Sequence, residues 1–232
     1  MGDTTPAPAK ADKPRDPTFT STTATVFGRD ISYIDAVYGF AATLLISNVD
    51  APPPEAWQSF STLAASGAAV QALGFVLSFT VIAVFWRANV RLVNLLTGLD
   101  SPTTILNLAA AASVIFISFT TQGIADPNST NLALPTVLYA ANLALVSLFL
   151  TIMLQVARAR GLLRHPTTSR QNLADILAVS ITPVVFLASI PIALTWGAVP
   201  ARLFWASLLV LAPAAGILSA RLARETKVEP SA

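Results

Sequence analysis

The amino-acid sequence predicts an all-α membrane protein with six transmembrane helices per subunit, and three observations carry that prediction. Charged residues make up 11% of the 232 residues and hydrophobic ones 54%, with a mean hydropathy of +0.65, whereas a soluble domain carries about 25% charged residues. So few charges cannot coat a soluble globule of this length, and the bilayer is the solvent that fits. Long apolar runs recur along the chain, each close to the roughly 20 residues that cross hydrocarbon as a helix. All but one of the 14 basic residues fall on alternate connections between those runs, as expected when one side of a membrane retains positive charge.

Residues 1–27 contain Thr5-Pro6-Ala7-Pro8-Ala9-Lys10 and Asp12-Lys13-Pro14-Arg15-Asp16-Pro17. They lack periodicity and lack an apolar stretch ahead of a cleavage site, which predicts a disordered cytoplasmic tail, not a signal peptide. Spans are predicted over Ile31–Val49, Ala68–Val90, Thr104–Ile124, Leu134–Val156, Ile176–Trp196 and Leu203–Ala220. They form a six-helix transmembrane domain over 28–222, with a cytoplasmic C-terminal tail over 223–232. Pro183, Pro191 and Pro213 lie inside the fifth and sixth runs, where they predict kinks that neighbouring helices accommodate. Lys10, Lys13, Arg15 and Arg29 precede the first span, Arg87 and Arg91 end the second, and Arg158, Arg160, Arg164 and Arg170 link the fourth to the fifth. Arg221, Arg224 and Lys227 follow the sixth, and Arg202 alone lies opposite. Both termini are therefore expected in the cytoplasm. An arginine-dominated basic set in an Ala-rich chain favours a bacterial plasma membrane. The Arg-rich loop around His165 is explained by topology, so no specific lipid site is assigned.

Several chemistries are excluded. Without cysteine there is no disulfide, thiolate or Cys-ligated zinc, and one histidine, His165, makes no metal site. No His-Glu-x-x-His or Gly-x-Ser-x-Gly occurs. No catalytic residue, metal, cofactor or nucleic-acid partner is expected.

The segment densest in unusual residues opens the first span: Arg29-Asp30-Ile31-Ser32-Tyr33-Ile34-Asp35-Ala36-Val37-Tyr38-Gly39-Phe40-Ala41-Ala42-Thr43-Leu44-Leu45. Asp35 sits about a turn inside the apolar run, where a charge costs at least about 2.5 to 3.5 kcal/mol unless it is partnered. It is either a structural network residue or an ion ligand. At about 100° per residue, Ala36, Phe40, Thr43 and Ser47 fall on one stripe, with Asp35 about 140° from Phe40. Arg29 lies about 120° from Asp35, so the two cannot pair within one straight helix. Trp86 and Asn89 reach the same depth from the second span, and both offer donors to a carboxylate. The stripe of small hydroxyls and one ring suits a helix seam or, if several copies converge, a pore wall with an apolar ring that excludes water.

These residues resemble the transmembrane protein 175 family, lysosomal and prokaryotic potassium channels. The family's first helix carries Arg, then Phe-Ser-Asp, then an apolar stretch ending Thr-Leu-Leu. Here Arg29 stands six residues before Asp35, Tyr33-Ile34-Asp35 takes the Phe-Ser-Asp position, and Ala42-Thr43-Leu44-Leu45 closes the motif. Trp86-Arg87-Ala88-Asn89-Val90-Arg91-Leu92 resembles the second-helix pattern Trp-x-x-His-x-Arg-Leu. Leu106-Asn107-Leu108 and Phe116-Ile117-Ser118-Phe119 resemble the third-helix pattern. The resemblance implies a homotetramer in contact with membrane lipids, its first helices lining a central pore that passes potassium ions without a pore-loop filter. By position it implies an apolar constriction at Phe40, pore-lining Ala36, Thr43, Leu44 and Ser47, and a supporting polar network of Arg29, Asp35, Trp86 and Asn89. The sequence departs from the family at Phe40, bulkier than the usual Ile or Leu, at Ile34 for Ser, at Asn89 for His, and at Ser118 for Pro. Two alternatives remain: a proton- or cation-coupled secondary transporter, in which Asp35 binds the coupling ion, and a non-conducting structural membrane protein.

Overall fold

A computed structural model describes residues 17–129, 131–165, 169–208, 210, 211, 214 and 217, with residues 17–26, 169–175 and 177–179 described by backbone alone. Lys10, Lys13, Arg15, Pro213, Arg221, Arg224, Lys227, the tail over 223–232 and much of the sixth run lie outside the described residues.

The long regular elements among the described residues are helices: α1 (Pro17–Leu44), α2 (Phe60–Ala65), α3 (Ala68–Asn94), α4 (Ser101–Ala125), α5 (Ala133–Ala159), α6 (Ser169–Trp196) and α7 (Ala198–Trp205). Helix α1 begins at Pro17, ahead of the first predicted span, and passes at Leu45–Asn48 into a 3₁₀ turn. Helices α3, α4 and α5 are long and apolar enough to cross a membrane, and α6 has a shorter apolar portion over Ser180–Trp196. Their outward faces are apolar, with Leu73, Val76, Val84, Ile105 and Phe119 exposed, the surface a membrane protein presents to lipid. Helix α6 runs without a break through Pro183 and Pro191. Gly197, with φ +94°, separates α6 from α7. A turn at Ala206 and Ser207 interrupts the sixth run, with helix resuming at Leu208.

Helix α4 packs on α5 and α5 on α6, while α1 lies across α4 and α3. Tyr139, Ile82, Val114, Ile117, Leu143 and Val146 fill the core. The close approach of α3 to α4 requires Gly74, because a Cβ there would meet the Ala125 Cβ at 2.4 Å and its Cα at 3.3 Å. Buried hydroxyls are paired across helices: Thr121 Oγ1 donates to Ser78 Oγ at 2.7 Å, and Ser78 Oγ lies 3.1 Å from Tyr139 Oη. Trp205 stacks on Tyr139 with ring centroids 5.4 Å apart and donates to Ser189 Oγ at 2.9 Å. These contacts join α3 to α7 into one bundle.

At one end of the bundle the α3–α4 and α5–α6 connections clasp each other. Thr97 N donates to Leu162 O and Arg164 N to Leu95 O, both at 2.8 Å. Asp100 caps α4 through the Thr103 amide at 3.1 Å and forms an ion pair with Arg160. The Thr103 hydroxyl and then Arg160 hold the Asp100 carboxyl below the usual carboxylate range.

Candidate functional site

Helix α1 has two faces of different character. Ile34, Tyr38, Ala41 and Leu45, at four-three-four spacing, are buried against the rest of the chain. The stripe of Ala36, Phe40, Thr43 and Ser47 is exposed, with Phe40 60% accessible, and Leu44 is half-buried at its margin. The seam within the subunit is therefore the Ile34–Leu45 stripe. Among the described residues, no other element covers the Phe40 stripe.

The hydroxyls on that exposed face all donate to their own helix. Ser32 Oγ donates to Gly28 O at 2.9 Å, Thr43 Oγ1 to Phe40 O at 2.8 Å, and Ser47 Oγ to Leu44 O at 2.6 Å. Each proton points back to the backbone, so the oxygen lone pairs remain for an outside partner. A hydroxyl held this way is an acceptor, suited to a cation or a donor.

The predicted polar network divides in two. Asp35 Oδ1 accepts from Trp86 Nε1 at 2.8 Å, which joins α1 to α3 behind the exposed stripe. Asn89 does not reach Asp35; it is buried and donates through Nδ2 to Asn107 Oδ1 at 2.5 Å, joining α3 to α4. The reason is angular: Asn89 lies three residues beyond Trp86, about 60° round the helix, and turns into the bundle core. Arg29 is exposed and makes no ion pair or hydrogen bond among the described residues. Asn107 is a partner that reasoning from the sequence passed over as a site residue, although an Asn inside an apolar run is itself a signal of a buried polar pair.

A second set of contacts, also missed, ties the far end of α1 to α4. Ser118 Oγ donates to Ala41 O at 3.1 Å, Asn48 Nδ2 donates to Ser118 O at 2.6 Å, and Gln122 Nε2 donates to Asn48 Oδ1 at 2.9 Å. Ser118 and Gln122 share a face of α4 at i, i+4, but no spacing rule links either to position 48, so only the packing of α1 on α4 reveals the set.

Beside this junction lies a cavity of about 330 Å³ lined by Ser47, Asn48, Asp50, Gln71, Gln122 and Asp126 among others. Its amide donors are engaged: Gln71 Nε2 donates to Asp50 Oδ2 at 3.0 Å, and the Gln122 and Asn48 amides are used as above. Asp50 and Asp126 put two carboxylates on its wall, and among the described residues no basic side chain lines it. The potential of such a mouth favours cations.

Comparison with known proteins places these features. Residues 29–118 match the model of the family described as the endosomal/lysosomal potassium channel TMEM175. Among solved structures, the crystal structure of a lysosomal potassium-selective channel TMEM175 homolog from Chamaesiphon minutus superimposes with a TM-score of 0.57 at 19% identity, over 87% of this chain and 98% of that one. A comparison with curated proteins finds no match. The family match contains the whole exposed stripe of α1, Asp35, Trp86, Asn89, Asn107 and Ser118.

Proposed function

We propose, from the TMEM175 match over residues 29–118 and the shared fold, that this chain is one subunit of a homotetrameric potassium channel of the bacterial plasma membrane. Each subunit contributes six spans, with both termini cytoplasmic. Four copies of α1 surround a central pore, and potassium passes passively down its gradient without a pore-loop filter.

One observation carries this reading above others: the stripe of Ala36, Phe40, Thr43 and Ser47 is left uncovered on a helix whose opposite face is buried. Back-bonded hydroxyls are tolerated facing lipid, but their remaining lone pairs suit a pore wall, where several copies bring them to one cation. Brought together about a four-fold axis, the Thr43 and Ser47 oxygens replace part of an ion's hydration shell. Phe40, one turn towards the cytoplasm from Thr43, forms the apolar constriction, which blocks flow by expelling water when its rings close together. Leu44 packs the wall between the hydroxyl layers. Asp35 and Trp86 brace α1 from behind, and the acceptor-rich mouth beside Ser47 raises the local cation concentration.

Purified protein in liposomes, driven by a potassium gradient, tests the channel reading. Potassium flux exceeding sodium flux, and raised by Phe40→Ala, is the expected result. Saturating flux coupled to a counter-ion supports the transporter instead. Absence of flux from both wild type and Phe40→Ala, in folded tetrameric protein, supports the structural role.

A further inference from the structure

We infer that Asn48 is a positioning residue that, gripped by Ser118 and Gln122 of α4, sets the register of the Thr43 and Ser47 hydroxyls in the pore; this rests on the channel reading above. The argument begins where α1 changes its geometry. Helix α1 ends at Leu44, and Leu45–Asn48 continues as a 3₁₀ turn. A 3₁₀ turn advances about 120° and 2.0 Å per residue against about 100° and 1.5 Å in an α-helix. Over the three steps from Leu44 to Ser47 the change amounts to about 60° of rotation and 1.5 Å of rise. The position of the Ser47 oxygen relative to Thr43 therefore depends on which geometry this turn keeps.

The local contribution to the tighter form is one side-chain bond, Ser47 Oγ to Leu44 O. Leu44 caps the turn without a side-chain hydrogen bond, and no glycine or proline lies within Leu45–Asn48. The constraint comes from α4. Ser118 and Gln122 stand one helical turn apart on the same face, and both reach Asn48. The carboxamide uses both of its ends, Nδ2 donating to Ser118 O and Oδ1 accepting from Gln122 Nε2. Rotating the amide would lose both bonds, so its orientation is specified. Ser118 grips the strand twice, because its hydroxyl also donates to Ala41 O in the last turn of α1, where carbonyls lose their intrahelical donors. The two contacts bracket Thr43 and Leu44 from either side of the transition. Ser47 meanwhile remains exposed on the pore stripe, its own hydroxyl tied to Leu44 O. The grip thus acts on the back of the segment whose front carries the oxygens.

The test is the potassium-to-sodium permeability ratio, read from reversal potentials across bilayers holding the full-length protein, with thermal stability and tetramer mass measured alongside. Asn48→Asp keeps the size and the bond from Gln122 but sets a carboxylate oxygen against the Ser118 carbonyl. Ser118→Ala removes one hydroxyl, and Ser118→Thr restores it. We expect the ratio to fall about fivefold, the factor equivalent to one ordinary net hydrogen bond, in Asn48→Asp and in Ser118→Ala, and to stay near wild type in Ser118→Thr. Ser118→Ala breaks only the Ala41 contact and leaves the bond from Asn48 to the Ser118 carbonyl intact, so if Asn48→Asp does not assemble, Gln122→Met, which removes the donor to Asn48 Oδ1 and should lower the ratio likewise, decides. A conducting wild type whose ratio is unchanged by Asn48→Asp, or by Gln122→Met where Asn48→Asp does not assemble, overturns the positioning role alone, even if stability falls. A wild type that passes no ion overturns the channel reading and this inference with it.

Discussion

Single side chains decide what α1 does with its two faces. Thr43 donates its proton to Phe40 O, which leaves the oxygen as an acceptor; Thr43→Val keeps the shape and removes that acceptor. The expected outcome is a fall in potassium selectivity with unchanged assembly, measured by reversal potential. Asp35 and Trp86 form a part-exposed pair, so Trp86→Phe, which preserves the ring but removes its donor, should cost about 1 kcal/mol, near the lower end for a charge-assisted bond. Thermal unfolding in detergent measures that loss, and a double-mutant cycle with Asp35→Asn should show that the two losses do not add. The Asp35 side chain was legible in the sequence as a residue needing a partner, since its depth in an apolar run demanded one. Which donor would answer it was not, because Trp86 and Asn89 differ in outcome by a rotation of one helix about its axis.

At the scale of elements, the bundle depends on close approach at one point and on a clasp at another. Gly74 admits Ala125 of α4 where a side chain cannot fit. Gly74→Ala should force α3 from α4 and destabilise the bundle by about 1 to 3 kcal/mol, the usual cost of overpacking, seen as a lower midpoint of thermal unfolding. The clasp of the α3–α4 and α5–α6 connections is pH-dependent through Asp100, whose carboxyl is depressed in the folded chain by Thr103 and Arg160. A depressed carboxylate stabilises the fold above its unfolded pKa and loses that contribution as pH falls through its folded pKa. The stability difference between wild type and Asp100→Asn should therefore be present at neutral pH and vanish in acid, below the ordinary carboxylate range. The long apolar runs of α3, α4 and α5 marked these helices in the sequence, and their observed ends fall within a few residues of the expected ones. The junction of α6 and α7 was not so legible: Gly197 breaks the chain ahead of the predicted sixth span, and the turn at Ala206 and Ser207 rests on local packing with no proline or glycine to announce it.

For the whole molecule, the carboxylates beside Ser47 and the untitratable amide at position 89 set the expected response to salt and to pH. The mouth beside Ser47 carries Asp50 and Asp126 and no lining base, so Asp50→Asn together with Asp126→Asn should lower potassium flux at low ionic strength and leave it little changed at high salt, where charges more than a few ångströms apart are screened. Asn89 stands where the resemblance of Trp86–Leu92 to a second-helix pattern puts a histidine, and its amide cannot titrate. His165, the single histidine, lies in the exposed α5–α6 connection. Flux should accordingly vary by less than about twofold between pH 6 and 8, the interval in which a histidine would switch; a steep pH dependence in liposome flux contradicts the assignment.

The sequence by itself determined the apolar surroundings of this protein and its helical class, and it singled out the helix densest in unusual residues. Those properties follow from local facts: a shortage of charge, apolar runs of spanning length, and ionisable residues inside one of them. Only the tertiary structure decided which stripe of α1 is spent on packing and which is left uncovered, that Asn89 pairs with Asn107 instead of Asp35, and that Asn48 is held by Ser118 and Gln122. Each of these depends on how one helix is rotated against another, and that rotation is set by the summed fit of many side chains, which no spacing within a single helix records.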